Sequence, residues 1–189
     1  MISISVEGEN AVKEALRGSP KKVNLVLSRA VNRTVTNVKS NISKQVRAEY
    51  VIKKASDVKN SLHITKATTS KPYAIVRSAG GKIDLTKFRI SPDEPRPKNP
   101  PKHGYKVKIK KSESLKTVPR GFLAYAKGSI GFFQRIGSSR EPIKRLMGPS
   151  IPEMINRPEI INYIEEQAGT MLEKRLGHEM ERVLGARAK

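Results

Sequence analysis

Nine apolar residues mark one stripe between Val23 and Val46: Val23, Val26, Leu27, Ala30, Val31, Val35, Val38, Ile42 and Val46. Their steps of three and four fit a period of about 3.6 residues, which predicts one long amphipathic helix. Ser19-Pro20 supplies its start, an N-cap followed by proline at the first helical position. The opposite face carries Lys22, Arg29, Arg33, Lys39, Ser40, Ser43, Lys44 and Arg47. Six of the stripe residues are valines, mediocre helix formers, so tertiary packing has to hold this helix. A second stripe follows Arg157-Pro158: Ile160, Ile161, Ile164, Ala168, Met171, Leu172, Leu176, Met180, Val183 and Leu184. It predicts a C-terminal helix with Pro158 in the first turn.

The chain between the stripes changes character. Tyr50 to Ala55 reads as a bend, and Ser56-Asp57 as the start of a short helix over Val58 to Leu62. His63–Thr69 and Pro72–Ala79 have β-type composition. Gly80-Gly81 offers the positive φ values of a tight turn, so Tyr73–Ala79 is expected to pair with Ile83–Phe88. Residues Ser91 to Gly104 hold five of the chain's 12 prolines and read as a long extended loop. Beyond it, Tyr105, Val107 and Ile109 alternate with Lys106, Lys108 and Lys110, a half-buried strand with one lysine face. Such a face either blunts a sheet edge or meets a polyanion.

Phe122–Ala126 and Ile130–Arg135 flank Lys127-Gly128-Ser129 as a second hairpin. Pro142–Met147 is expected to form one helical turn, closed by Gly148-Pro149. No internal repeat is visible. The order helix, strands, helix gives an α+β class: a long N-terminal helix, a small, mostly antiparallel sheet of hairpins and a C-terminal helix. One domain over 1–189 is expected, with a helical part at 19–62, a β-rich part at 63–135 and the turn motif plus last helix at 141–186.

Composition narrows the function. Hydrophobic residues make up 37% of the 189, enough for a core, and with aromatics at 5% and no Trp that core is aliphatic. Without cysteine there is no disulfide scaffold and no thiolate metal site. No apolar run approaches the roughly 20 residues of a bilayer span. Met1–Glu9 lacks the basic n-region of a secretory signal, so a soluble protein made in the cytoplasm is expected. Lys and Arg total 38 against 17 Asp and Glu, a net charge of +21. Residues 51–120 alone carry +13, against +5 before them and +3 after. A field of that sign favours polyanions or acidic partners.

Catalytic patterns are missing from the sequence. His63, His103 and His178 have no metal spacing. Ser129, Ser139 and Ser150 lack a nucleophile elbow, and Gly128, Gly131 and Gly137 are not followed by the Gly-Lys-[ST] of a phosphate loop. Asp57, Asp84, Asp93 and Glu94 are scattered, while Glu165, Glu166, Glu173, Glu179 and Glu181 read as the solvated side of a helix. We therefore expect no enzyme, no cofactor and no metal. The candidate contacts for DNA or an acidic partner are Arg29, Arg33, Lys44, Arg47, Lys53, Lys54, Lys106, Lys108 and Lys110.

Three segments together resemble a known family. Leu27-Ser-Arg-Ala-Val-Asn-Arg-Thr34 leads to Tyr50-Val-Ile-Lys53 and to Gly81-Lys-Ile-Asp-Leu-Thr-Lys-Phe88. Phe133-Gln-Arg-Ile-Gly137 precedes Pro142-Ile143 and Gly148-Pro149-Ser150-Ile151-Pro152. This pattern is similar to the minor tail protein Z family of bacteriophages and prophages. The resemblance implies a structural tail completion or neck protein of the virion, made in the host cytoplasm. It further implies action at the head-proximal end of the tail, in head–tail joining and placement of the genome end, as a homo-oligomeric ring beside other tail proteins. Phe132, Phe133, Arg135, Gly137, Pro142, Gly148, Pro149, Ser150 and Pro152 would then be structural. Two other readings stay open: a stand-alone, sequence-nonspecific nucleic-acid binder, and an adaptor that meets acidic tail or neck proteins without touching DNA.

Overall fold

The computed structural model describes residues 2–3, 12–14, 16, 19–126 and 128–185. Lys127 of the second hairpin turn, most of Met1–Glu9 and the last residue of the 141–186 segment lie outside them. The fold is α+β, with two long helices and short antiparallel strands between. Its contacts gather into two compact units, one of 1–43, 59–79 and 155–189, the other of 44–58 and 80–154.

Helix α1 (Pro20–Glu49), whose residues up to Ser43 belong to the first unit, begins where the sequence places it. The amides of Lys22 and Val23 both bond the Ser19 carbonyl. All nine stripe residues are buried, as are Ser28, Thr34 and Ser43. Thr34 avoids an orphaned hydroxyl by donating to the Ala30 carbonyl at 2.9 Å. Strands β1 (Ile2–Ser3), β2 (Leu62–Thr65) and β3 (Ile75–Ser78) form one sheet in the order β1-β3-β2. Asn32 of α1 ties that sheet's flank. Its Nδ2 donates to the Ala67 carbonyl at 2.9 Å, and its Oδ1 accepts from the Ala67 amide at 2.8 Å.

Most of the second unit is β. Strand β4 (Lys82–Asp84) is followed by a 3-10 turn, Leu85–Lys87, and by β5 (Arg89–Ser91). Then come β6 (Lys106–Lys108), β7 (Lys116–Thr117), β8 (Gly121–Ala126) and β9 (Ser129–Arg135). Strands β10 (Ile143–Arg145) and β11 (Met147–Ser150) complete it. They form sheets β5-β6-β7, β10-β9-β8 and β11-β4. Short helices α2 (Ala55–Lys59) and α3 (Ile151–Ile155) precede the last helix, α4 (Pro158–Gly185) of the first unit.

The β8–β9 hairpin forms as expected, with Phe122 opposite Phe133 and Leu123 opposite Phe132. Phe132 is fully buried and meets Tyr105 edge-on, their centroids 6.1 Å apart. Four local expectations are corrected. Tyr73–Ala79 does not pair with Ile83–Phe88: β3 pairs with β2 and β1, and β4 with β11. Gly80 has φ +152° and Gly81 no positive φ, so the tight-turn geometry that needs both is not made. Pro142–Met147 is no helical turn, because the free edge of β9 recruits Ile143–Arg145 as a strand. The short helix lies earlier, at Ala55–Lys59, since Leu62 is claimed by β2. Finally, the lysine strand β6 is central between β5 and β7, so its lysines do not blunt an edge.

The Gly-Pro-Ser-Ile-Pro segment is read by sterics and capping. A Cβ on Gly148 would sit 2.4 Å from the Phe88 ring, so only glycine lets β11 approach. Ser150 caps α3. Its Oγ accepts from the Glu153 amide at 3.2 Å, while the Glu153 carboxylate accepts from the Ser150 amide at 2.7 Å. Substituting Gly148→Ala should cost about 1–3 kcal/mol of unfolding free energy in urea, because the ring has to move. Gly137→Ala, whose Cβ would meet nothing closer than 4.0 Å, should be near neutral in the same assay.

Candidate polyanion interface

Basic charge is concentrated in the second unit. It has 21 Lys and Arg against 8 Asp and Glu, net +13, and the first unit is left with +8. The predicted residues Lys44, Arg47, Lys53, Lys54, Lys106, Lys108 and Lys110 all belong to it; Arg29 and Arg33 do not.

Sheet β5-β6-β7 arranges the lysine strand. Ile90 faces Val107 across it and both are buried. By alternation the other face presents Arg89 opposite Lys108, Ser91 opposite Lys106, and Lys106 opposite Thr117. Lys106 and Lys108 are half-buried along their stems, which leaves their ammonium ends to reach solvent. Arg89 and Lys108 are like charges directly across an antiparallel pair, an arrangement that destabilises a sheet. Among the described residues neither has an ion-pair partner. Lys110 follows in register, bridged to Tyr50, and the Lys111 amide bonds the Glu49 carbonyl at 2.8 Å. Lys110 is thereby carried beside the C-terminal end of α1, whose last turn holds Arg47.

Lys53 and Lys54 are exposed and line a shallow cavity of about 400 Å³ with Lys87, Arg145, Asp57 and Asp84. There the carboxylates are taken. Lys87 Nζ lies 3.0 Å from Asp57 Oδ1, and Arg145 Nε lies 2.5 Å from Asp84 Oδ2. Burial opposes ionisation of Asp84. Hydrogen bonds from the Thr86 amide and hydroxyl and from Arg145 outweigh it and hold its carboxyl below the ordinary range.

Arg29 and Arg33 are half-exposed in the first unit and turn to Glu179 of α4. Arg33 Nη1 is 3.0 Å and Arg29 Nη1 4.0 Å from its carboxylate. Glu179 is 1% exposed, so the sequence reading of it as part of a solvated face is corrected. The Arg33 contact lacks the alignment of a hydrogen bond, leaving charge attraction as what holds this carboxylate. Two signals in the sequence pointed to structure that the reading passed over. Ser150-x-x-Glu153 is a capping box, and Glu179 falls three residues after Leu176 on the buried stripe.

Among the described residues there is no cluster of His, Cys, Asp and Glu fit to hold a metal, and no helix long and apolar enough to cross a membrane. The described side chains thus make a basic, structurally braced surface. Residues 8–187 match the family model described as prophage minor tail protein Z (GPZ). The chain belongs to the prophage minor tail protein Z family. No curated protein and no solved structure matches it. As a member of that family it is a phage minor tail protein. Phe132 and Phe133 are core, Gly148 permits close packing against Phe88, and Ser150 caps a helix.

Because the folded Asp84 carboxyl titrates below its ordinary value, it stabilises the fold above the unfolded pKa. That contribution fades as pH falls through the lower folded value. Urea midpoints of the wild type should therefore drop on acidification below about pH 4, where unfolded aspartates begin to protonate. Asp84→Asn should start less stable at neutral pH and lose less over the same window.

Proposed function

We propose that this minor tail protein acts at the head-proximal end of the tail, in tail completion and head–tail joining. Its second unit faces the genome end. The observation that carries the reading is the unpaired Arg89–Lys108 register on a central sheet of the +13 unit. A sheet face that repels itself gains most from an outside polyanion, since phosphate contact releases condensed counterions and cancels the repulsion. The sequence of this unit carries no base-reading motif, so contact is with backbone phosphate and blind to sequence. Lys44, Arg47, Lys53, Lys54, Lys106 and Lys110 extend the same charge. Arg29 and Arg33 are partly committed to Glu179 and contribute less. Several copies closing as a ring would line a passage with this face, the ordinary cyclic solution for identical subunits. The role is structural, without a catalytic step, and its place is the virion tail.

Short duplex DNA should bind with an affinity that falls steeply with salt. The log–log slope should shrink by about two contacts' worth in Arg89→Glu/Lys108→Glu, with no dependence on base sequence. A slope that the double variant leaves unchanged would remove this sheet from the DNA path. Light scattering of the same samples reads the ring directly, and a monomer at every salt concentration would argue against self-closure.

A further inference from the structure

The proline-rich loop and the β8–β9 hairpin enclose a cavity of about 670 Å³. None of the predicted contact residues lines it. Its loop side is Pro97, Pro100 and Pro101, and its strand side is Phe122, Leu123 and Ala124. Tyr105 fixes the loop above it. The hydroxyl accepts from the Arg96 amide and donates to the Glu94 carbonyl, both at 3.0 Å. The loop is therefore held by a buried side chain despite lacking strand or helix.

Two properties of this cavity point to one kind of occupant. The first is an open strand edge. Sheet order β10-β9-β8 leaves β8 outermost, and among the described residues no strand pairs with its outer side. The Arg135 amide bonds the Arg120 carbonyl, which sets the alternation along the hairpin. Phe122 and Ala124 then bond β9, while the amides and carbonyls of Leu123 and Tyr125 point away from it. Leu123 lies in the cavity wall, and Tyr125 is 73% exposed where the edge leaves the cavity. A second extended chain would satisfy these groups as an added strand.

The second property is charge. Arg96, Arg120, Arg135 and Arg140 surround the cavity, against one carboxylate, Glu141. Arg135 is occupied, its guanidinium 4.8 Å above the Phe122 ring and hydrogen-bonded to the Arg140 carbonyl. Among the described residues, Arg96, Arg120 and Arg140 have no ion pair. Arg120 also holds a left-handed φ of +55°, a conformation costly for a side chain of its size, at the mouth of the edge.

We infer that this cavity is a docking groove for an acidic extended segment of another protein. The segment adds as a strand to β8, sets apolar side chains against the proline wall and gives its carboxylates to the arginines. Stacking of nucleic-acid bases is disfavoured because arginines already cover the aromatic faces, Arg135 on Phe122 and Arg145 on Phe133 at 5.9 Å. A DNA backbone, moreover, accepts hydrogen bonds but donates none, so it would leave the carbonyls of the strand edge unsatisfied. Neither Arg89 nor Lys108 lines the groove, so its failure and that of the DNA reading are separable by variant.

The test uses the full chain and a fluorescein-labelled peptide of about eight residues that alternates valine and glutamate. Anisotropy should show binding that weakens at least about tenfold in Arg96→Glu and in Arg140→Glu. Lys144→Glu, on the opposite sheet face, should leave it unchanged. N-methylation of every second peptide amide should abolish binding at unchanged charge. Three results would overturn the proposal: no binding by the parent peptide, equal binding by the methylated one, or a thymidine oligonucleotide that binds as tightly and is lost in the same arginine variants. A dimer that Arg140→Glu dissociates would instead assign the groove to a second copy of this chain, and would equally overturn it.

Discussion

In a chain with 38 cationic side chains and 17 carboxylates, a carboxylate set where positive charge gathers fixes more geometry than one on an open surface. The structure sets such carboxylates within each unit. Glu179, almost wholly buried, draws Arg29 and Arg33 of α1 to α4. Asp84 accepts from Thr86 and then from Arg145, which pins the 3-10 turn to β10. Asp57 holds Lys87, and Glu153 closes the capping box of α3. Each of these acids acts between or at the ends of elements, where one charge can fix a geometry. Among the described residues, Arg89, Lys108, Arg96, Arg120 and Arg140 are left without an ion pair. The basic surface of the second unit is thus what 21 cations leave over 8 carboxylates, of which Asp57, Asp84 and Glu153 already serve the fold.

That remainder is patterned. On β5-β6-β7 it takes the form of like charges in direct register, which costs the sheet stability in isolation. At the mouth of the hairpin it takes the form of arginines around a largely apolar groove. The first suits a uniform line of phosphates, because lysine is a flexible point charge. The second suits carboxylates set on an apolar strand, because guanidinium is planar and weakly hydrated. Under the two readings proposed above, the patches divide phosphate and carboxylate contact between them.

What could be read from the sequence was what depends on local periodicity. The stripe Val23 to Val46 and the stripe from Ile160 are legible as helices because spacing and a flanking proline mark them locally, even though packing of the buried stripe holds the valine-rich one. The β8–β9 hairpin was legible for a similar reason, with two short apolar runs beside a glycine turn. Strand partners were not legible where the partner is remote. Lys82–Asp84 pairs with Met147–Ser150, more than sixty residues away, and nothing in either segment names the other. Ile143–Arg145 became a strand because β9 had a free edge, a tertiary fact that overrides three residues of weak preference. Of the candidate contacts, the lysines of β6 were visible as alternation. Their position in the centre of the sheet, and the arginine groove assembled from residues 96, 120, 135 and 140, needed the fold.

The Gly-Pro-Ser-Ile-Pro segment shows why a family signature need not be a functional site. Gly148 is required by the Phe88 ring, Ser150 by the exposed amides of α3, and Phe132 by Tyr105. These contacts fix β11 against β4 and the hairpin beneath the proline-rich loop. Tyr105 links the two consequences: its ring packs on Phe132, while its hydroxyl grips the backbone at Glu94 and Arg96. A buried aromatic contact therefore sets the height of the loop over the edge of β8. Phe132 thus bears on the groove through that spacing, whereas Arg135 of the same signature lines it directly.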